Sequence, residues 1–241
     1  MGDIVTGLID AASAILLSAE RKIEAASSNI SNSSTNGYKR IAIASEMASP
    51  NRQEFDDFPD ARQSVDTAQG QLTITENPLD IAIHGPGYFQ LRDGERMVFS
   101  RGRSFQLADG GRLVDAEGRV MQQTNGGGDL VSSGGALEVL DDGTVLEDGL
   151  PIGQLGLWEA DQASAVRAIG GTLFAIDEAA LVEPAHSQVR QGFVESSNVL
   201  LSDEMVAMMA AIRQAEGGGR IVQVYDQLMG QAVQTFSRSG R

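Results

Sequence analysis

Residues 19–40, AERKIEAASSNISNSSTNGYKR, hold the point at which one kind of structure stops and another begins. Up to Ile30 the apolar residues fall three or four apart: Ile4, Leu8, Ala12, Ile15, Ala19, Ile23, Ala26 and Ile30. That spacing puts them on one stripe of a helix running from about Asp3 to Asn32, with Asp10, Ser13, Glu20, Arg21, Glu24 and Ser28 on the other face. From Ser31 to Asn36 the chain is Ser, Asn and Thr, and Asn36-Gly37 is a helix stop whose Gly can take a positive φ. Tyr38-Lys39-Arg40-Ile41-Ala42-Ile43 then begins an extended segment. Half of the helical stripe is Ala, which permits close approach but supplies too little apolar area to hold a helix alone. The helix needs partner helices.

The far end of the chain has the same character. From Asp203 to about Ser237, Met205, Met209 and Ile212, then Ile221, Tyr225, Leu228 and Ala232, fall at helical spacing. Met adapts to uneven surfaces, as packing between non-identical neighbours demands. Gly217-Gly218-Gly219 interrupts this run at about 1 kcal/mol per Gly relative to Ala, so a kink, hinge or local irregularity is expected there within one long helix.

Between the helices, residues 49–68 are acidic and turn-rich with no sustained period, and read as a linker or surface loop. From Gln69 to Gly192 the period falls to two, in Leu72–Thr75, Asp80–Ile83, Tyr88–Leu91, Met97–Phe99, Phe105–Leu107, Leu137–Leu140 and Leu155–Trp158. Asp93-Gly94, Asp109-Gly110, Asp142-Gly143 and Asp148-Gly149 lie between strand candidates, where Asp-Gly favours hairpin turns. The expected class is α+β. Residues 1–36 and 194–241 form a coiled-coil-like module of paired N- and C-terminal helices, 37–68 an extended segment and acidic linker, and 69–193 an inserted antiparallel all-β domain. The helix faces carried by Ile4, Leu8, Ile15, Ile23, Ile30, Met205, Met209, Ile212 and Leu228 are the candidate assembly interfaces.

Charge narrows the function. Asp+Glu number 33 against 18 Lys+Arg, a net charge of −15, which argues against nucleic acid because phosphate binding needs a basic stripe. With no Cys there is neither a disulfide nor a thiolate metal site. No stretch approaches the ~18 apolar residues of a membrane span, and MGDIVTGLIDAASAILLSAERK lacks the basic start and unbroken apolar core of a cleaved signal peptide. His84 and His186 are the only histidines and have no zinc-motif spacing. Asp56-Asp57 and Asp141-Asp142 read as solvated turn acids, and Gly126-Gly127-Gly128 lacks the Lys and Ser/Thr of a phosphate loop. No catalytic, metal or cofactor constellation emerges, so the expectation is a protein that is not an enzyme and carries no cofactor.

Three segments carry a resemblance. Asn29, Asn32, Thr35, Gly37, Tyr38 and Lys39 stand in SSNISNSSTNGYKR; Asn77, Pro78, Asp80, Gly85, Gly87 and Phe89 in NPLDIAIHGPGYF; Glu195, Ser197, Asn198 and Val199 in GFVESSNV. Together, and in this order, they resemble the N-terminal, central and C-terminal motifs of bacterial flagellar rod and hook proteins. Each has a local physical reason as well, since the glycines permit tight turns and the asparagines can bond backbone groups where a helix ends. The resemblance implies a structural subunit of the basal-body rod. Its partners would be other copies of itself, neighbouring rod subunits and the flagellar type III export apparatus, with export lacking a cleaved signal and a place in the basal body spanning the periplasm. At 241 residues the chain has no room for the extra outer domains of a hook subunit. Residues 50–68 contain no Gly, unlike the Gly-rich segment of the distal rod type, so the proximal rod is favoured over the distal. A secreted β-rich fibre or adhesin is the rival from another class, but it has no need of helices at both ends.

Overall fold

The computed structural model of the chain describes residues 2–44, 62–124 and 127–239. Helices α1 (Gly2–Ser31) and α2 (Leu201–Ser239) stand at the two ends, with antiparallel strands between them, an α+β arrangement. The chain divides into two compact units. One holds both helices; the other comprises Ser31–Ala42 and Ser64–Leu200.

In the helical unit the residues withdrawn from solvent are small or polar. Ala12, Ala19, Ala26 and Asn29 are buried on α1, and Glu204 and Ala211 on α2. Contacts along the helices run in opposite directions through the chain. Asn29 Nδ2 donates to Glu204 Oε2 at 2.9 Å, Lys22 Nζ donates to Gln214 Oε1 at 3.1 Å, and Gly218 lies against Ile15 and Leu16. α1 and α2 are therefore antiparallel where they touch. The interruption expected at Gly217-Gly218-Gly219 is absent: α2 is helical straight through it. The reason is packing, since a Cβ on Gly218 would stand 3.1 Å from Leu16 and 3.2 Å from Ile15, so a bare backbone admits the neighbouring helix and offsets the poor propensity of Gly.

In the other unit the strands alternate as their period requires. β1 (Ile41–Ala44) pairs with β2 (Arg62–Val65), strands whose residues are divided between the two units, and within this unit β3 (Leu72–Ile74) pairs with β18 (Phe193–Glu195). The large sheet runs β14 (Val166–Gly170), β15 (Leu173–Ile176), β6 (Arg96–Ser100), β5 (Tyr88–Asp93), β9 (Val120–Met121), β8 (Leu113–Asp115), β7 (Gly102–Leu107), β4 (Asp80–His84) and β17 (Gln188–Gln191). β13 (Leu157–Ala160) joins it through β5 and also pairs with β16 (Leu181–Val182), while β10 (Leu137–Val139), β11 (Thr144–Glu147) and β12 (Leu150–Gln154) make a separate three-stranded sheet. β2 departs from the loop expected over 49–68, because its pairing comes from β1 and not from any period of its own. The rest of that loop, up to Ala61, lies outside the described residues.

All four Asp-Gly pairs join antiparallel neighbours: β5 to β6, β7 to β8, β10 to β11 and β11 to β12. At Asp148-Gly149 both residues have positive φ, 49° and 80°, as the tightest two-residue hairpin demands. Alternation splits the apolar residues between two clusters. Phe89, Leu91, Val98 and Phe105 enter one with Ile81, Ile83 and Val189; Tyr88 and Phe99 enter the other with Val166, Phe174 and Ile176. Edge-on rings join Phe89 to Phe105 at 6.5 Å and Tyr88 to Phe174 at 5.4 Å.

Candidate functional site

Glu195 ends β18 and is completely buried. A buried carboxylate persists only where donors replace the water it has lost, and here they come from widely separated parts of the chain. Lys39 Nζ donates to Oε1 at 2.6 Å, the Gly70 amide donates to Oε1 at 2.8 Å, and Arg101 Nε donates to Oε2 at 3.0 Å. Lys39 also donates to the Ala68 carbonyl at 2.6 Å, and Arg101 Nη1 to the Gly87 carbonyl. Above Arg101 lies the Tyr88 ring, 5.4 Å from guanidinium carbon to centroid.

The electrostatics follow from two cations and one carboxylate shut away together. Burial lowers the Lys39 pKa and the Arg101 charge adds to that, while Glu195 pulls it back up. Burial pushes the Tyr88 hydroxyl up to about 12. Arg101 Nη2 and Ser100 Oγ have no hydrogen-bond partner among the described residues.

Local structure delivers each group. At the end of α1 the Thr35 amide donates to the Asn32 carbonyl at 3.0 Å and the Thr35 hydroxyl to Asn32 Oδ1 at 3.3 Å. Gly37 then turns with φ 76°, and its amide donates to the Glu195 carbonyl at 2.7 Å; a Cβ there would stand 2.9 Å from the Gly102 carbonyl oxygen. This delivers Tyr38 and Lys39 to the interior, both 1% exposed. Asn198 works beside them: its Oδ1 accepts from the Arg40 amide at 2.7 Å, and its Nδ2 donates to the Asp66 and Ala68 carbonyls at 2.9 and 3.0 Å. The Ser197 hydroxyl accepts from the Val199 amide at 3.2 Å and Val199 is buried.

The central segment serves the sheet next to this cluster. Asn77 Nδ2 donates to Asp80 Oδ1 at 2.9 Å and Asn77 Oδ1 accepts from the Leu79 amide at 3.2 Å, a side-chain turn that launches β4. The Pro78 carbonyl accepts from Gln191 Nε2 at 2.8 Å. Gly85 and Gly87 leave room for His186 and Ser187, and Phe89 is in the core. Apart from Asn29, which belongs to the helical unit, the motif residues thus meet within one unit. Glu195 from the third holds Lys39 from the first, and Arg101 joins Glu195 to the carbonyl of Gly87 from the second.

The helix-face residues behave differently. Ile15, Ile23 and Ile30 are partly buried; Met205, Met209, Ile212 and Leu228 are exposed at 54%, 53%, 42% and 57%. The side chains of Ile4 and Leu8 lie outside the described residues. Sequence reading missed Arg101, Gly70 and Glu204. Arg101 stands in the bend between β6 and β7, where a charged residue carries no signal of burial in the sequence.

Chemically the cluster is a clamp: each charged group is spent on a partner, and no nucleophile stands beside a base. Among the described residues no group of His, Cys, Asp and Glu is placed to hold a metal ion, and no helix is long and apolar enough to cross a membrane. Asp141 and Asp142 are exposed turn acids, the latter accepting from the Thr144 amide at 2.9 Å.

Comparison with known proteins bears on what the clamp belongs to. The family described as flagellar basal body rod FlgEFG protein, C-terminal, matches residues 190–235, from β17 into α2. The flagellar basal-body rod protein FlgF of Caulobacter vibrioides is 26% identical, with 90% of this chain and 93% of that protein covered. FlgF of Rhizobium meliloti is also 26% identical, covering 97% and 99%, and the rod protein FlgG of Caulobacter vibrioides is 27% identical, covering 68% and 66%. The family match takes in Glu195, the match to the Rhizobium meliloti protein covers nearly the whole chain, and the chain is thus similar to flagellar basal-body rod proteins over the segments that the fold gathers into one clamp.

Proposed function

We propose that the chain is a structural subunit of the flagellar rod, of the proximal type, whose terminal helices form a coiled-coil-like inner module (1–36 and 194–241) and whose β domain (69–193) lies outward of it. Helices of successive subunits pack into a tube around the export channel and the β domains form its outer wall, so the assembly carries torque along its axis. The partners are copies of this chain and neighbouring rod subunits. Delivery is by the flagellar type III apparatus without a cleaved signal, and the finished rod spans the periplasm.

The observation that carries this reading is the buried Lys39–Glu195–Arg101 clamp, with no solvent-accessible chemistry of its own. It joins the chain just after α1 to the chain just before α2, which suits a subunit that hands force from one part to another. The candidate interface residues Ile4, Leu8, Ile15, Ile23, Ile30, Met205, Met209, Ile212 and Leu228 supply the helix faces for neighbours, and the exposure of the four on α2 supports that assignment. The Gly-free acidic stretch at 50–68 favours the proximal over the distal rod. Deleting the gene from its host and restoring it on a plasmid tests the proposal: hook-basal bodies should vanish and return. Intact basal bodies in the deletion strain would overturn it.

A further inference from the structure

Away from the Glu195 clamp, the β unit carries an open cavity of about 260 Å³, with buried Leu155 and Leu157 as its apolar lining. That volume holds one side chain and falls short of the roughly 300–1,000 Å³ of a drug-sized ligand. Trp158, on β13, is half-buried beside them, and its Nε1 donates to Gln90 Oε1 at 3.1 Å, so the ring is held in one orientation. Two exposed carboxylates complete the lining: Asp142, in the turn between β10 and β11, and Glu183, just after β16. Both stand on backbone that is tied down. Asp142 Oδ1 accepts from the Thr144 amide at 2.9 Å, and the Asp142 carbonyl accepts from Gln154 Nε2 at 3.0 Å. The loop that follows Glu183 is fastened by buried Glu159, whose Oε1 accepts from the Ala185 and His186 amides at 3.1 and 2.9 Å and from the Ser187 hydroxyl at 2.7 Å. The cavity is thus built before anything enters it.

Its charge is not balanced from within. Asp141 takes Arg190 at 3.3 Å, but among the described residues no cation pairs with Asp142 or Glu183. Two carboxylates beside a fixed aromatic face select a planar cation, because a guanidinium stacks on a Trp ring and offers N–H groups in a fork to carboxylates, which an ammonium cannot do. The side-chain donors of the lining already have partners: Gln154 and Trp158 as above, and the Thr124 hydroxyl, which donates to the Leu155 carbonyl at 2.7 Å. With those spent and no Lys, Arg or His in the lining, a free amino acid finds nothing to receive its own carboxylate. An arginine within a polypeptide brings no such group.

We propose that this cavity is a docking site for an arginine side chain presented by another polypeptide, its guanidinium stacked on Trp158 and paired with Asp142 and Glu183. That the polypeptide is a neighbouring rod subunit rests on the rod reading; the chemistry of the cavity does not. Trp158 is the sole Trp of the chain, so its fluorescence in the full-length protein reports on the cavity. A Gly-Arg-Gly peptide blocked at both ends should change that fluorescence saturably. The corresponding Lys peptide should bind more weakly, and the citrulline peptide, which keeps the shape and loses the charge, should have no effect. Asp142→Asn and Glu183→Gln, both at exposed positions, should each weaken the Arg peptide by about fivefold, the worth of one charge pair at ~4 Å in water. Equal responses to the arginine and citrulline peptides, no response at all, or an affinity that both variants leave unchanged would overturn the proposal. So would tighter binding of free arginine than of the blocked peptide, since the cavity would then be an amino-acid site. Absence of the chain from basal bodies would instead count against the rod reading and leave the peptide result standing.

Discussion

Glu195 is the residue on which most of the sequence motifs converge, and its loss leaves Lys39 and Arg101 buried at 0% and 1% side-chain exposure with no counter-charge. Breaking a buried pair from the side of the shared partner costs about 3–5 kcal/mol. Glu195→Gln should therefore lower the unfolding free energy by roughly that amount in denaturant titrations, whereas Lys39→Met should cost less because Arg101 still neutralises the carboxylate. Equal losses for the two variants would contradict the shared-partner geometry. Glu147 gives a test by pH. Hydrogen bonds from the Ser132 and Ser133 hydroxyls, then from the Ser133 and Gly135 amides, hold its pKa down at about 2, against an ordinary 4.5. A carboxylate depressed on folding stabilises the native state above its unfolded pKa, and that contribution is lost as protons bind on the way down. Stability should thus fall between pH 4.5 and about 2, and Glu147→Gln should flatten part of that fall; an unchanged profile would show that the serine cage is not formed in solution. The motif residues were legible as turn and cap chemistry, since Asn, Gly and Ser announce themselves locally. Arg101 was not, because its role depends on Glu195, which lies 94 positions away.

Helix α2 poses a question at the scale of one element. Gly217 and Gly219 have open space where a Cβ would go, while Gly218 faces Leu16 and Ile15. Gly217→Ala and Gly219→Ala should each stabilise the helix by about 1 kcal/mol, the propensity difference alone. Gly218→Ala should gain less than either or turn destabilising, because its neighbours must give way. Thermal unfolding of the three single variants reads the ordering, and equal gains at all three positions would mean that α1 does not press on Gly218. The two long helices were legible from period and the four hairpins from Asp-Gly, because both signals are local. The seam between the helices was harder to see. Apolar periodicity picks out Met205, Met209 and Ile212, whereas the buried positions are Glu204, Ala211 and Gly218, because close approach of two backbones selects small side chains over hydrophobic ones. The short strands β2, β9 and β16 gave no signal, since two to four residues cannot establish a period.

In the whole molecule, the residues that fold the chain differ from those offered for its assembly. Met205→Asp and Met209→Asp change side chains that are 54% and 53% exposed, so each should shift the stability of the isolated chain by no more than about 0.5 kcal/mol. In cells the same variants should abolish swimming and yield no complete basal bodies, because the charge would be buried between subunits without a partner. Swimming at the parental rate with either variant would remove that helix face from the assembly. The central claim is that this chain builds the rod with its terminal helices innermost. Electron cryomicroscopy of basal bodies purified from the host, carrying the chain with a small tag in the loop after β7, tests it most directly. Tag density should lie on the outer surface of the proximal rod, with α1 and α2 lining the channel. Tag density absent from the rod, or helices α1 and α2 on its outer surface, would contradict it.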